Sequence, residues 1–277
     1  MRRLAVGIIV TLIAAASPAA AAIKLDPSPD AEGRKVVNAV FREYIAQRVG
    51  VKIETAVVDV EGDGVAEIVA RFVHSGSCRN ATSQCRTVVI RHNDRKWGIV
   101  FDRPTDELSI DKPRAKWNFT DIVADGMTWK WNGKAYSPTA GSFGTQVSFA
   151  PVPKESAAAI AAAFGQGAVK LASNSDSNVS FEYARPKVAQ SGEHLLVRMK
   201  GDVVCGNPAG CPVRLLEKAG NSWTPILEAS STGGVEVARI SRGGRNDIVV
   251  ATDKGFAVLG WTGKSYGLAD VIEATAK

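Results

Sequence analysis

Two halves of the sequence carry the same landmarks in the same order. Cys85 and Cys211 are each followed, after twelve residues, by a tryptophan. The tripeptide Asp-Ile-Val occurs at 121–123 and again 126 residues later, at 247–249. The pattern Trp-x-Gly-Lys-x-Tyr occurs at 131–136 and again 130 residues later, at 261–266. Four matches in one order indicate an internal repeat with a small insertion near 252–255, and a repeated unit must build its local structure twice.

Each repeat begins with a helical pattern and continues with β-rich segments. Apolar residues recur at helical spacing over 32–48 in the first repeat and over 155–172 in the second. Segments rich in β-branched residues follow, and each Gly-Lys turn predicts a hairpin with its Trp and Tyr on facing strands. We therefore predict an α+β fold, mostly β, of two tandem diverged repeats, each a helix followed by antiparallel hairpins.

The domain boundaries follow from the same comparison. The first β-rich repeat spans 23–140 and the second spans 154–277, with a Gly- and Pro-containing linker at 141–153 between them. The recurring Trp97 and Trp223 either pack in the core of each repeat or line a groove for a ligand. Because a core must be filled twice whereas a ligand site need exist only once, we expect both rings to be buried.

The first 22 residues have the three regions of a secretory signal peptide. Met1-Arg2-Arg3 is basic, residues 4–16 are apolar, and a run of alanines ends at Ala22. The apolar run is too short for a transmembrane helix, which needs about 20 residues, and no later stretch is longer. We predict cleavage after Ala22 and a periplasmic or secreted protein with no transmembrane segment.

The charge of the chain is mild. The formal net charge of +6 falls to +4 when Arg2 and Arg3 are removed with the signal peptide. Together with export, this charge argues against a nucleic-acid partner. A weak preference for anionic envelope polymers or lipid headgroups stays open.

Each repeat contains one pair of cysteines, Cys78 with Cys85 and Cys205 with Cys211. An even number of cysteines in an exported chain favours disulfides, although four cysteines allow three connectivities. Because each pair precedes a hairpin, bonds within each repeat are the simplest solution. Zinc is the alternative, but the C-x6-C and C-x5-C spacings do not match the short C-x2–4-C knuckles of structural zinc sites.

An acidic turn suggests the one cofactor, weakly bound calcium. Asp59, Glu61 and Asp63 alternate like the first ligands of a calcium loop, and Gly64 allows the sharp turn. The twelfth position is Ala70, so the bidentate glutamate of an EF-hand is missing. The corresponding segment of the second repeat, 189–193, keeps a glycine but loses most of the acids. A plain glycine turn between strands therefore stays open as the alternative.

The segment 59–68, followed by a strand, a cysteine pair and a hairpin, resembles the FG-GAP or VCBS type of β-hairpin repeat. The segment 205–211 is similar to the Cys-Gly-x-x-x-Gly-Cys of exported bacterial proteins in which an Asp-Gly turn precedes it, although Ser191-Gly192 stands at that turn here. The resemblance covers short stretches of each repeat. It implies an extracytoplasmic binding or scaffold role, sometimes with calcium, and no chemistry.

The sequence has no recognisable catalytic motif. His74, His92 and His194 lack partners at metal-ligand spacing, and neither a G-x-S-x-G elbow nor a phosphate-binding glycine loop occurs. Catalytic groups can also be scattered through a chain, so whether the protein is an enzyme stays uncertain, with a non-enzyme favoured.

The leading hypothesis is a non-enzymatic periplasmic binding or envelope-associated protein of unknown ligand, whose partner is an envelope polymer or another periplasmic protein. One alternative is an exported inhibitor or partner of a cell-wall hydrolase, and another is an exported hydrolase with scattered catalytic residues. Because duplicated units commonly bind ligands at their interface, we expect the functional site where the two repeats differ or meet.

Overall fold

The computed structural model of the chain describes residues 21–80, 83–93, 96–110, 119–152, 157–173, 178–206, 208 and 210–273. The predicted signal peptide lies outside these residues except for Ala21 and Ala22. No helix among the described residues is both long and apolar enough to cross a membrane.

Most of the described residues lie in antiparallel strands, which confirms the α+β, mostly β class. The helices are α1 (Arg34–Val40), α2 (Arg42–Ala46), α3 (Ala157–Phe164) and α4 (Gln166–Ser173). The strands are β1 (Ala21–Ala22), β2 (Lys52–Val58), β3 (Glu67–Val73), β4 (Cys78–Asn80), β5 (Ser83–Asn93), β6 (Lys96–Thr105), β7 (Leu108–Ile110), β8 (Ile122–Ala124), β9 (Met127–Trp131), β10 (Tyr136–Pro138), β11 (Gly144–Gln146), β12 (Ala150–Pro151), β13 (Ser180–Ala184), β14 (His194–Lys200), β15 (Cys211–Ala219), β16 (Ser222–Ser231), β17 (Val235–Arg242), β18 (Arg245–Thr252), β19 (Gly255–Trp261) and β20 (Tyr266–Glu273).

The described strands form four sheets, two in each half of the chain. The first outer sheet contains β2, β3, β5 and β6, with β4 paired to β5, and the first inner sheet has the order β1-β7-β8-β9-β10. The second outer sheet has the order β12-β13-β14-β15-β16, and the second inner sheet has the order β11-β17-β18-β19-β20. In both halves, four consecutive strands of the inner sheet pair as a meander, so the inner sheets share one strand order.

A short crossing segment joins the two sheets of each half at their first strands. In the first half, Ala21 and Ala22 pair with β7, and Asp26 pairs with Thr55 on β2. In the second half, β11 pairs with β17 and β12 pairs with β13. The predicted linker 141–153 therefore contributes β11 and β12 to the sheets of the second half.

Helices cover one face of each outer sheet. The helix expected over 32–48 is divided into α1 and α2 at Phe41, and the helix expected over 155–172 is divided into α3 and α4 at Gly165, whose φ of 82° is not helical. Phe41 packs edge-on against Phe72 of β3, with ring centroids 5.0 Å apart. These contacts bury the apolar stripe of each helix pair, which is the main source of stability for such short helices.

One apolar core joins the two halves. Its buried cluster contains residues of the first outer sheet, such as Phe101, of the first inner sheet, such as Ile122 and Trp129, and of the second inner sheet, such as Val249. The second outer and second inner sheets share another cluster, and each helix pair packs on its outer sheet in a third and a fourth. The first outer sheet and both inner sheets therefore meet around the core that joins the halves.

The predicted Trp–Tyr hairpins are confirmed in both halves. Trp131 pairs with Tyr136 across β9 and β10, and Trp261 pairs with Tyr266 across β19 and β20. The ring centroids are 5.6 and 5.5 Å apart, respectively. Each tyrosine hydroxyl donates a hydrogen bond of 2.9 Å to a backbone carbonyl sixteen or twenty residues earlier, at Thr120 or Asn246.

The expectation of fully buried tryptophans at 97 and 223 is wrong. Both side chains are half-buried, at the starts of β6 and β16. Each lies opposite a polar residue of the neighbouring strand, His92 for Trp97 and Lys218 for Trp223. Their rings pack at the margins of the helix–sheet clusters because the hairpin ends there.

Candidate binding site between the two halves

Polar contacts join the two halves around the core between the inner sheets. Arg103 Nη2 on β6 donates to Asp270 Oδ2 on β20 over 2.7 Å. Arg239 Nη1 donates to the backbone oxygen of Gly126, in the turn between β8 and β9, over 2.9 Å. These two bonds connect strands of the second inner sheet to the first half.

A partly enclosed cavity of about 30 Å³ lies between the two inner sheets. A water molecule requires roughly 10–15 Å³ by the same measure, so the cavity has room for one or two oxygen-sized groups. Its walls are apolar side chains of both halves, such as Phe143 and Val258, and its polar groups include Trp129 and Asp247. Neither half forms the cavity alone.

Asp247 is fully buried, with an exposed fraction of 0%. Alternation along β18 places Asp247 and Val249 toward the inner interface and places Ile248 on the opposite face, in the cluster with the outer sheet. Among the described residues neither carboxylate oxygen has a hydrogen-bond partner. The nearest cation is Arg242, whose Nε lies 3.3 Å from Oδ2 in an ion pair without hydrogen-bond geometry.

Burial sets the protonation of Asp247. Removal from water raises the pKa of its carboxyl from 3.8 to about 6, and the guanidinium of Arg242 opposes this rise. The corresponding residue of the first half, Asp121, is only half-buried. The same Asp-Ile-Val sequence therefore has two environments.

Trp129 lines the same cavity and carries a buried hydrogen-bond donor, its indole N–H. Its side chain is 3% exposed, and its indole Nε1–H has no acceptor among the described residues. The ring packs edge-on against Phe101, with centroids 5.2 Å apart, and the guanidinium of Arg103 lies 5.8 Å from its centre. Trp129 and Asp247 therefore both line the cavity, and neither the indole N–H nor the carboxylate has a hydrogen-bond partner among the described residues. A buried polar group without such a partner costs about 1–3 kcal/mol of folding free energy.

An open groove of about 360 Å³ adjoins the cavity, and Trp129 and Arg103 line both spaces. The walls of the groove come from β6 of the first half and β20 of the second half. Ile99 and Val271, on these two strands, are 45% and 46% exposed. The two side chains therefore form an exposed apolar rim of the groove.

The structure places the four cysteines as predicted. Cys78 is bonded to Cys85, and Cys205 is bonded to Cys211. The first pair lies in register across β4 and β5, and in the second half a bridge between Gly206 and Gly210 closes the loop of the other pair. Both disulfides are therefore local crosslinks at the start of the central hairpin of each outer sheet.

The three predicted calcium ligands are engaged by protein groups. The carboxylate of Asp59 accepts the backbone N–H groups of Gly62, Asp63 and Gly64 over 2.7, 3.3 and 2.9 Å. Asp63 accepts the N–H of Val65, and both oxygens of Glu61 pair with the guanidinium of Arg91.

No cluster of three or more His, Cys, Asp and Glu side chains within the described part of the chain is arranged to hold a metal ion. The calcium site at Asp59, Glu61 and Asp63 stays a prediction. A carboxylate has about four lone-pair sites, so Asp59 and Asp63 could bind an ion beside these backbone bonds, whereas Glu61 would have to leave Arg91.

Sequence reasoning did not predict the burial of two titratable groups at matching positions. Glu67 and His194 each lie eleven residues before the first cysteine of their half. Glu67 accepts the N–H of Val60 over 2.8 Å, and its burial raises its pKa from 4.5 to about 7. Burial lowers the pKa of His194, whose Nε2 lies 3.4 Å from Glu217. An alignment of the two halves on Cys78 and Cys205 places Glu67 and His194 at the same position, and this signal could have singled them out.

Comparisons of the chain with protein-family models, with curated proteins and with solved structures found no match. The resemblance to FG-GAP or VCBS repeats stays a prediction.

Proposed function

We propose that the chain is an exported, non-enzymatic binding protein that holds its ligand between the inner sheets of two repeats. The observation that carries this proposal is Asp247, a carboxylate with no exposure and no hydrogen-bond partner among the described residues. Buried polar groups almost always have hydrogen-bond partners, so a buried carboxylate without one favours a bound water, ion or ligand at that place. Trp129, which lines the same cavity, also has a buried indole N–H without an acceptor among the described residues.

The matched topology of the halves supports their origin as tandem repeats. The inner sheets have the same strand order, and in each half a short segment pairs with an inner and an outer strand. In the first half the contacts of this segment that lie after the predicted cleavage point are those of Ile23 with Leu108 and of Asp26 with Thr55. The backbone N–H of Ile23 donates to Leu108 just as that of Val147 donates to Val235. A site at the junction of two such units exists only when both are present.

The two disulfides and the signal-peptide pattern of the first 22 residues support export to the periplasm or the medium. Three aspartates line the cavity, and each has a cation or a hydrogen-bond donor of the protein beside it: Asp125 accepts from Thr105, Asp247 has Arg242, and Asp270 has Arg103. We assign these carboxylates no chemical step. A ligand held there needs no chemistry beyond pairing with the orphaned groups.

The proposal is tested by measuring the binding of purified exported protein to four soluble probes: peptidoglycan fragments, neutral oligosaccharides, oligopeptides and anionic lipid vesicles. We expect one class to raise the melting temperature of the protein and to lose this effect in Asp247→Asn. Asp121→Asn is the matched control, since it changes the corresponding residue outside the cavity. Binding that persists unchanged in Asp247→Asn, or no binding by any class, contradicts the proposal.

A further inference from the structure

We propose that the junction between the two halves is a pH-sensitive switch, which is closed while Asp247 carries a proton and opens more often once its carboxylate is ionised. The junction is the apolar core that residues of both halves share, such as Trp129 and Val249, together with the charged side chains at its cavity. The inference concerns opening of the junction in the free protein, so it does not require that a ligand binds there.

Asp247 lies on the face of β18 that packs in the junction. Strand alternation places it on the same side as Val249, which belongs to the shared core with Trp129. Its side chain has no exposure, and neither carboxylate oxygen has a hydrogen-bond partner among the described residues. An ionised carboxylate in this position has lost its water and gained no donor, which destabilises the closed junction. A protonated carboxyl group has no charge, so the same burial costs it less.

The other charged side chains around the cavity do not compensate for ionised Asp247. Among the described residues, five charged side chains contribute to the lining: Arg103, Asp125, Arg242, Asp247 and Asp270. Arg103 is paired with Asp270 over 2.7 Å, and Asp125 accepts from the Thr105 hydroxyl and from two backbone N–H groups. Two cations and three carboxylates leave one negative charge in excess when Asp247 is ionised and none when it is protonated.

The strands beside β18 supply one close cation and one neutral group. On β17, Arg242 Nε lies 3.3 Å from Asp247 Oδ2 without hydrogen-bond geometry, whereas Glu236 and Arg239 bond to backbone groups of the linker and of the turn between β8 and β9. Strand β19 has no charged residue. On β20, burial raises the pKa of Tyr266 to about 12, so this phenol stays neutral wherever Asp247 titrates. Arg242 is therefore the nearest counter-charge of Asp247, and it makes no hydrogen bond to the carboxylate.

The direction and size of the pH effect follow from burial. Removal from water raises the pKa of Asp247 from 3.8 to about 6 in the closed junction. In an open junction the carboxyl group meets water and titrates near its ordinary value. The bound proton therefore favours the closed form fully below pH 3.8, and this preference is lost as the pH rises through about 6. Because each pKa unit is a tenfold factor in the equilibrium, the open fraction should rise about 100-fold over this range.

Hydrogen exchange of the indole N–H of Trp129 measures the opening. This side chain is 3% exposed and lies in the shared core, so its N–H meets solvent when the junction opens or the whole chain unfolds. Its exchange rate between pH 4 and pH 7, divided by that of an exposed indole at the same pH, gives the open fraction. We expect a rise of about 100-fold in the unmodified protein and none in Asp247→Asn. The buried amide of Leu215, in the second outer sheet, reports global unfolding and should be protected more strongly than Trp129.

Two further variants separate the switch from a general weakening of the junction. Asp121→Asn changes the half-buried aspartate of the matching tripeptide and should keep the pH profile. Asp270→Asn removes the ion pair with Arg103 across the junction, so it should raise the open fraction at every pH without moving the midpoint. The carboxyl ¹³C signal of Asp247 gives this midpoint directly, and we expect it near pH 6.

The outcomes decide the proposal in either direction. A pH-dependent Trp129 signal that is lost in Asp247→Asn supports the switch. Equal protection of Trp129 and Leu215 at every pH would show that the junction opens only with global unfolding, and would overturn it. An open fraction that does not change with pH, or a profile that survives in Asp247→Asn, would also overturn it. Because the exchange test uses no ligand, failure of the switch and failure of the proposed binding function are distinguishable.

Discussion

Arg103 on β6 and Asp270 on β20 form an ion pair that joins the two halves, with Nη2 and Oδ2 2.7 Å apart and side chains 24% and 17% exposed. By the predicted repeat correspondence, the matching positions of the opposite halves are Ala229 and Ala140, so no second pair of this kind can form there. The interface between the halves is therefore asymmetric, although the sheets that build it share a strand order. Both residues of the pair line the cavity that contains Asp247.

The first prediction concerns this ion pair. Asp270→Asn leaves the partly buried guanidinium of Arg103 without its anion, and we expect it to lower the free energy of unfolding by about 1–2 kcal/mol. Urea denaturation measures the change. The control is Asp102→Asn, which breaks a more exposed pair with Arg86 inside the first half. Equal effects of the two substitutions would show that the link between the halves adds nothing.

The second prediction concerns the pH dependence of folding at Glu67. Its pKa is raised from 4.5 to about 7, so the folded state holds a proton that the unfolded state releases. The stability from this proton is fully present below pH 4.5 and is lost as the pH rises through about 7, a change of about 3 kcal/mol at 1.36 kcal/mol for each pKa unit. Glu67→Gln cannot ionise and should flatten this part of the stability curve. The matched control is Glu54→Gln on β2, and an unchanged slope in Glu67→Gln would refute the assignment.

The third prediction concerns how much the buried carboxylate of Asp247, which has no hydrogen-bond partner among the described residues, lowers the free energy of unfolding. The pKa of Asp247 is raised from 3.8 to about 6, so protonation stabilises the folded state below pH 3.8, and this stability is lost as the pH rises through about 6. In the absence of ligand, Asp247→Asn should therefore raise the free energy of unfolding at pH 7.5 by about 1–3 kcal/mol while abolishing ligand binding, a trade that is common at functional sites. Guanidinium denaturation at pH 3.5 and pH 7.5 measures it. No stabilisation by Asp247→Asn at pH 7.5, or an effect of the same size at pH 3.5, would contradict it.

The fourth prediction concerns the local disulfides. Each bond closes a loop of six or seven residues, and on the chain-entropy model such a loop stabilises the folded state by about 2 kcal/mol. The double substitutions Cys78→Ala with Cys85→Ala, and Cys205→Ala with Cys211→Ala, should each lower stability by this amount. Non-reducing peptide mapping of the unmodified protein is the control for pairing. A cross-repeat bridge in the map would refute local pairing.

The fifth prediction concerns calcium at the acidic turn. If Asp59, Glu61 and Asp63 bind the ion weakly, millimolar calcium should raise the melting temperature, with about 1.4 kcal/mol of stabilisation when its concentration is ten times the dissociation constant. Asp63→Asn should remove the increase, because Asp63 supplies one of the three carboxylates. An unchanged melting temperature would leave the segment as a glycine turn held by the backbone bonds to Asp59.

The sequence by itself determined the features that depend on near neighbours along the chain. The hairpins of Trp131 with Tyr136 and Trp261 with Tyr266 follow from a Gly-Lys turn, and the cysteine pairs follow from a separation of six or seven residues. The strand-rich composition between turns set the mostly β class. Local backbone geometry decides all of these, so a pattern of a few residues suffices to predict them.

Only the tertiary structure decided which residues face the other half. Asp121 and Asp247 stand in identical Asp-Ile-Val segments, yet one is half-buried and the other is fully buried, because a different surface packs over each. The two- and three-residue strands β1, β11 and β12 are strands because a distant sheet edge pairs with them. The cavity itself is assembled from residues more than a hundred positions apart, such as Trp129 and Asp247. Burial and pairing between segments this far apart depend on how whole sheets pack, and no local pattern in the sequence encodes that packing.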